Sequence, residues 1–219
     1  MEKLVVQSKR IERAITAKTI EPMKSIWISL VLIAVCTQCA IDRTVMPLNK
    51  VELETLALFK KLEPKHQVTV STKNEPGQKL WLCLTFISKE NKEPLNNQKV
   101  SLYHTSTAGE YEPSDPNNEA TARLNGSVYT DKNGQAFVQT ILPGDYGSSA
   151  DNRHIHTTVV GARPKAYDIH FEQFTGQMGT NFISGSDQHF LANLKQANDS
   201  TLVTFLTIEV KKPSSTIKN

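Results

Sequence analysis

The chain has 219 residues, of which 38% are hydrophobic and 21% are charged, so its length fits about one globular domain. Residues 1–40 hold six Lys/Arg against three Asp/Glu, and the rest balances at nineteen against nineteen, so the leading segment carries the whole net charge of +3. Such a balance provides no basic surface for nucleic acid, and no nucleic-acid partner is expected.

Residues 1–40 are predicted to be a leader. Met23 and Lys24 precede an apolar run that ends in small and polar residues, which is typical of a secretory signal. The run is shorter than the roughly 20 apolar residues that span a bilayer. Met23 is a candidate for the true start, and Cys36 or Cys39 for the lipid-attached residue of a lipoprotein, while a signal anchor is the alternative. We therefore predict a secreted, periplasmic or cell-envelope-anchored protein, attached to a membrane only through this leader or its lipid.

Residues 41–66 are predicted to be a linker with a short helix. The stretch 49–62 is amphipathic, and Asn49 is a suitable N-terminal cap. Beyond the leader, Cys83 is the only cysteine of the sequence, and it lies in an apolar run where a lone Cys behaves as a small buried hydrophobe. No disulfide framework is therefore expected.

From residue 67 onward, short runs rich in Val, Thr, Leu and aromatic residues recur between turn signals. They predict strands over 68–72, 79–87, 99–103, 126–130, 135–141, 154–160, 167–171 and 202–210. Asp131-Lys-Asn-Gly134 lies between two of these runs and predicts a hairpin turn. The pattern predicts an all-β, two-sheet β-sandwich over 67–212 with a polar tail over 213–219. The segments 110–125 and 175–200 are predicted to be long loops that wall a pocket.

The stretch His154-Ile155-His156 carries the clearest chemical signal. Residues two apart on a strand share a face, so both imidazoles would point to one place while Ile155 faces the other way. This arrangement is suited to holding a metal. Tyr146, eight residues before His154 and next to the Pro143-Gly144 turn, is a candidate third ligand.

Five motifs resemble those of the intradiol ring-cleavage dioxygenases, in the same order and at similar spacing. They are Glu93-Pro-Leu-Asn-Asn-Gln-Lys-Val-Ser-Leu-Tyr103, Ala108-Gly-Glu-Tyr111, Tyr129-Thr-Asp-Lys-Asn-Gly134, Thr140-Ile-Leu-Pro-Gly-Asp-Tyr146 and His154-Ile-His156. The resemblance implies a prealbumin-like sandwich and one non-haem Fe(III), held by Tyr111, Tyr146, His154 and His156. Fe(III) is a hard cation that prefers anionic oxygen and can deprotonate a tyrosine of ordinary pKa about 10.

The same resemblance implies that O2 cleaves a catechol-type ring between its two hydroxyl-bearing carbons, giving a muconic-acid type product. Tyr146 would act as ligand and as base, and Arg153 would stabilise the activated ring. The chain departs from the family pattern near this site. Arg153 directly precedes His154 without the usual intervening Pro, His170 stands where relatives often carry Gln, and the loop 147–153 lacks aromatic residues. These departures concern the substrate pocket.

Two alternatives stay open at this point. Residues 92–146 also resemble non-catalytic secreted modules of the prealbumin or carboxypeptidase-regulatory type, although such modules have no reason to carry both tyrosines and both histidines. The second alternative is an iron-binding homologue without turnover. His104 and His189 show no partner pattern and are predicted to be surface or loop residues. The sequence gives no indication of the oligomeric state.

Overall fold

The computed structural model describes residues 43–176, 183 and 185–211, and within them it contains two β-sheets and one α-helix. The expected all-β chain with a short N-terminal helix is confirmed. The leader predicted over 1–40 and the tail predicted over 213–219 lie outside the described residues. Within the described ranges, no helix combines the length and the apolar character needed to cross a membrane.

Six strands form the first sheet. In order across the sheet they are β1 (Met46–Pro47), β10 (Lys195–Gln196), β11 (Leu202–Val210), β3 (Lys79–Ser88), β6 (Gln135–Ile141) and β2 (Gln67–Thr69). β3 is central, and it pairs parallel with β11 and antiparallel with β6. The bounds of β6 and β11 are those expected from the sequence.

Five strands form the second sheet. In order they are β5 (Leu124–Tyr129), β4 (Lys99–His104), β7 (His154–Val159), β8 (Asp168–Phe171) and β9 (His189–Ala192). β7 runs antiparallel to both β4 and β8, and β9 runs parallel to β8. On β7 the buried positions alternate, so Ile155 and Val159 face the core while His154 and His156 lie on the opposite face.

The main hydrophobic core joins the two sheets. It includes Leu82 and Phe86 of β3, Leu102 of β4, Ile155 of β7 and Phe171 of β8, all at most 2% exposed. Full burial of such a side chain stabilises the fold by roughly 1.5–3 kcal/mol. This core keeps β7 and its neighbours in a fixed register.

The helix α1 (Lys50–Phe59) covers the other face of the first sheet. Its Leu56 and Phe59 form a second cluster with Cys83, Phe137 and Val203. β3 is therefore covered on both sides, which explains its nearly continuous apolar sequence. The expected burial of Cys83 is confirmed, and burial raises the pKa of its thiol.

A capping box starts α1 at the expected residue. The Asn49 side chain accepts a hydrogen bond from the backbone N–H of Glu52 at 2.9 Å, and the Glu52 carboxylate accepts one from the backbone N–H of Asn49 at 2.8 Å. The helix ends at Phe59, three residues before the expected end, because Lys61 and Leu62 already form tighter turns to Leu58 and Phe59.

Two expected loops contain strands. The segment 175–200 includes β9 and β10, and β5 begins at Leu124 inside the segment 110–125. β9 has four residues without alternating polarity, and β10 has two, so neither carries a strand pattern of its own. Pairing with β8 and β11 determines their conformation.

The turn at Asp131-Lys-Asn-Gly134 forms, but it does not make a hairpin. The Asp131 carboxylate accepts backbone hydrogen bonds from Asn133 at 2.8 Å and Gln135 at 2.7 Å, and Gly134 adopts the left-handed region at φ 74°. The flanking strands β5 and β6 belong to different sheets. The local residues thus form the turn, while core packing decides where each strand goes.

Candidate active site

β7 brings two imidazoles together, as the His-x-His spacing predicted. The Nε2 atoms of His154 and His156 lie 3.1 Å apart. Neighbouring strands complete the surroundings, because His156 stacks on Tyr103 of β4 with ring centroids 4.7 Å apart, and His154 stacks on His170 of β8 at 5.3 Å. The two imidazoles are therefore positioned by three strands at once.

The partners of the other ring nitrogens determine the tautomers. His154 Nδ1 donates to the carbonyl of Asn152 at 2.5 Å, and His156 Nδ1 donates to Asp168 Oδ1 at 3.0 Å. Each neutral ring then carries its lone pair on Nε2, and the two lone pairs face each other. Burial lowers the pKa of His154, and this effect outweighs the hydrogen bond to Asn152, which alone would raise the pKa. The lowered pKa favours the neutral imidazole, which is the form that binds metals. Two converging lone pairs fit a cation between them.

Tyr111 adds an oxygen to the same place. It lies on the segment after β4 and is only 8% exposed, and its hydroxyl is 2.8 Å from His156 Nε2. Burial raises the pKa of Tyr111 above its ordinary value, so a phenolate at this position requires a nearby cation. His154, His156 and Tyr111 together offer the nitrogen and anionic-oxygen donors that Fe(III) accepts.

Tyr146 lies beside Tyr111 on an exposed loop. The two rings are 5.2 Å apart between centroids, and Tyr146 is 43% exposed. Its hydroxyl donates to Glu119 Oε1 at 3.3 Å. Asn152 holds the loop by accepting from the Tyr146 backbone N–H at 2.8 Å and donating to its carbonyl at 3.1 Å.

Close backbone contact brings the two tyrosine loops together. A Cβ added at Gly144 would lie 2.5 Å from the Thr107 carbonyl oxygen, and one at Gly109 would overlap the carbonyl of Asp145. Gly109 also has a left-handed φ of 82°. Glycine at both positions therefore permits the approach that places Tyr111 next to Tyr146.

Arg153 faces the same loop. Its Nε donates to Asp145 Oδ2 at 3.3 Å, and its guanidinium carbon lies 4.2 Å from the centroid of the Phe174 ring. The structure thus places Arg153 next to the histidine strand, with its charge engaged by Asp145.

Several residues around this site carry no signal of their role in the sequence. Asp168, Tyr103 and Glu119 contact His156 or Tyr146 directly, as given above. The prediction that His104 is a surface or loop residue is wrong, and His189 lies in a strand instead of a loop. His104 ends β4 at 1% exposure and its Nε2 is 2.7 Å from Thr140 Oγ1, while His189 begins β9. The Asp168-Ile169-His170 spacing repeats that of His154-Ile155-His156 and could have revealed the polar face.

His170 is buried on this polar face. It is 2% exposed, and burial lowers its pKa to about 4, so its imidazole is neutral near pH 7. Burial alone would raise the pKa of Asp168, but the hydrogen bond and the charge of the neighbouring histidines, His156 first, bring this pKa below its usual value. Asp168 is therefore an ionised carboxylate behind His156, as is common for histidines that bind metals.

Comparison with known proteins places this geometry in a family. Residues 58–218 match a family model described as "Dioxygenase". A catechol 1,2-dioxygenase of Acinetobacter baylyi is 43% identical over 72 residues, which are 32% of this chain and 23% of that protein. The matched part thus spans less than a quarter of this curated relative.

Solved structures show the same fold at low sequence identity. The catechol 1,2-dioxygenase of Pseudomonas arvilla C-1 is 17% identical with a TM-score of 0.55, over 87% of this chain and 70% of that one. An intradiol ring-cleavage dioxygenase of Tetranychus urticae is 17% identical with a TM-score of 0.50, over 67% of this chain and 88% of that one. Because the family model covers well over half of its residues, this chain belongs to the intradiol ring-cleavage dioxygenase family.

Proposed function

We propose that this protein is a non-haem Fe(III) dioxygenase that uses O2 to cleave a catechol-type ring between its two hydroxyl-bearing carbons. The observation that carries this proposal is the pair of facing Nε2 atoms, 3.1 Å apart, with the Tyr111 hydroxyl 2.8 Å from one of them. Tyr111, Tyr146, His154 and His156 would hold the iron. In this family, two tyrosinates and two imidazoles satisfy a ferric ion and keep it in that state.

A bound Fe(III) would accept electron density from the catechol oxygens, which would give the ring the radical character that lets O2 attack a ring carbon. The reaction balances without another reductant. Breaking one ring C–C bond supplies the electrons that reduce O2, and both oxygen atoms end in the two carboxyl groups of a muconic-acid type product. With Asn152 and Asp168 accepting from their Nδ1 atoms, His154 and His156 would present Nε2 to the iron.

Tyr146 would move the substrate proton. As a phenolate it accepts a proton from a catechol hydroxyl, and its neutral hydroxyl then donates to Glu119, at the 3.3 Å separation given above. The exposure of Tyr146 and the left-handed Gly147 that follows it support such movement on its loop. Arg153 would turn from Asp145 toward the ring and stabilise its developing negative charge.

Catechol is the first substrate to test, because two of the matched relatives carry its name. We also propose that the two sheets form a prealbumin-like sandwich. The leader over 1–40 supports a secreted, periplasmic or envelope-anchored location, with attachment only through that leader or a lipid on Cys36 or Cys39.

An iron-binding homologue without turnover is the second candidate. The specific observation that favours it is the direction of Tyr146 and Arg153, whose polar atoms are bonded to Glu119 and Asp145. A non-catalytic module of the prealbumin or carboxypeptidase-regulatory type has less support, because it gives no reason for the facing imidazoles.

The first experiment is a visible absorption spectrum and an iron determination on the purified full chain, with and without catechol under air. The expected result is a tyrosinate-to-Fe(III) band that shifts with catechol and then decays as a muconate-type product appears. A coloured protein that leaves catechol unchanged would support the homologue without turnover. A colourless protein that stays free of iron after reconstitution would contradict both the dioxygenase and the iron-binding homologue without turnover.

A further inference from the structure

Three residues beside the proposed iron site form a second group of metal-binding side chains. Asp168 and His170 lie two apart on β8, and His189 pairs directly with Asp168 across the parallel β8–β9 ladder. One ligand atom from each lies within 4.8 Å of the other two. Atoms bound to one tetrahedral Zn²⁺ at about 2.1 Å stand roughly 3.4 Å apart, so small side-chain rotations bring the three into range.

His170 lacks the hydrogen bonds that a buried imidazole needs. At 2% exposure, neither of its ring nitrogens has a hydrogen-bond partner among the described residues. Its ring lies between those of His154, at 5.3 Å, and His189, at 5.1 Å. A buried polar group left without a partner costs about 1–3 kcal/mol. A ligand for His170 at this position would remove that cost.

Asp168 links this group to the proposed iron site. Its Oδ1 accepts from His156 Nδ1 at 3.0 Å, and its second carboxylate oxygen can serve another ion. The group offers one negative charge and two imidazoles, compared with two tyrosinates and two imidazoles in the iron site. This donor set suits a divalent ion of intermediate hardness.

We propose that Asp168, His170 and His189 form a second metal site, which binds a divalent transition-metal ion such as Zn²⁺ next to the Tyr111, Tyr146, His154 and His156 site. The ion links β8 to β9 and gives a nitrogen of the buried His170 ring a bonding partner. It also draws charge from Asp168, so the carboxylate holds the His156 Nδ1 proton less strongly. The second ion thereby tunes the imidazole that faces the iron site.

The test titrates Zn²⁺ into the iron-saturated full chain by calorimetry, with metal content measured after dialysis. The expected result is one equivalent of Zn²⁺ with the iron retained. His170→Gln and His189→Ala are expected to weaken Zn²⁺ binding by about 100-fold or more, since changes even in outer-shell partners cost 10–100-fold. His66→Gln is the matched control, because His66 is a buried histidine bonded to the Tyr129 carbonyl.

Tyr111→Phe separates this site from the proposed iron site, since Tyr111 is a proposed iron ligand and is not one of the three residues of the second site. Zn²⁺ binding that persists in Tyr111→Phe supports the second site, even if the protein proves to hold no iron. Three outcomes would overturn it: no Zn²⁺ bound, unchanged affinity in a folded His189→Ala variant, or one-for-one displacement of iron by Zn²⁺. A shift of the tyrosinate-to-Fe(III) band on adding Zn²⁺ tests whether the second ion acts on the iron site through Asp168 and His156. Of these measurements, only this one rests on the proposed function.

Discussion

The two halves of the candidate site are built differently. His154 and His156 lie on a strand paired on both sides, and each Nδ1 is bonded to a fixed acceptor. Tyr146 and Arg153 belong to the exposed loop side, where their polar groups bond to Glu119 and Asp145. The strand half is preorganised for holding an ion, whereas on the loop half Tyr146 is 43% exposed. This division suits a site that keeps its metal while exchanging one ligand for substrate.

The largest effect is expected from removing the strand half. In His154→Ala or His156→Ala, the iron content of the purified protein should fall close to zero, because one of the two converging nitrogen donors is lost. Iron analysis and the visible spectrum measure this. His66→Gln should keep its iron, and full iron occupancy in both alanine variants would remove the strand half from the site.

Changing the loop half should affect rate more than metal. Tyr146→Phe is expected to slow catechol turnover about 100-fold or more while retaining part of the iron, because it removes a proton acceptor worth about 10²–10⁴-fold. Glu119→Gln should have a smaller effect, since its amide oxygen can still accept the Tyr146 hydroxyl. Wild-type turnover in Tyr146→Phe would exclude the ligand-and-base role.

Asp168→Asn tests how far the strand half depends on its supporting residue. Loss of the carboxylate behind His156 should weaken iron binding about 10–100-fold, as is usual for such partners. Competition with a chelator in zinc-free buffer measures the iron affinity. Asp187→Asn is the control, since Asp187 is an exposed acid paired with Lys89. Equal iron affinities in the two variants would mean that Asp168 does not support His156.

The smallest effect is expected at Arg153. Arg153→Gln should lower kcat about tenfold, or about 1.4 kcal/mol, through lost stabilisation of the ring. Asp145→Asn removes the same ion pair but keeps the guanidinium, so its kcat should stay near that of the wild type. The free energy of unfolding of both variants should lie within about 1 kcal/mol of the wild-type value, as expected for a partly exposed ion pair. Equal kcat losses in the two variants would show that Arg153 only positions the loop.

Local patterns anticipated much of the fold. The predicted cap Asn49 marks where α1 begins, and alternating or continuous apolar runs predicted β6 and β11 to the residue. These features depend on hydrogen bonds and side-chain periodicity within a few residues. β9 and β10 were missed because their conformation depends on pairing with strands that are close in space.

The same distinction between local patterns and long-range pairing applies to the candidate site. His154 and His156 could be placed together from their spacing, because a strand puts alternate residues on one face. Asp168 and His170 share a face by the same spacing, but they and His189 meet His154 and His156 only through the pairing of β7, β8 and β9. Tyr146, which is predicted to be an iron ligand, lies beside Tyr111 with its hydroxyl bonded to Glu119.

By itself, the sequence determined the all-β class, the capped helix, the turn at Asp131–Gly134 and the shared face of His154 and His156, since each rests on short-range geometry. Only the tertiary structure decided that β5 and β6 enter different sheets and that His104 is buried. It also decided that a carboxylate and two more histidines gather behind the His-x-His pair. Those outcomes depend on strand register and on packing between distant segments, which no local pattern encodes.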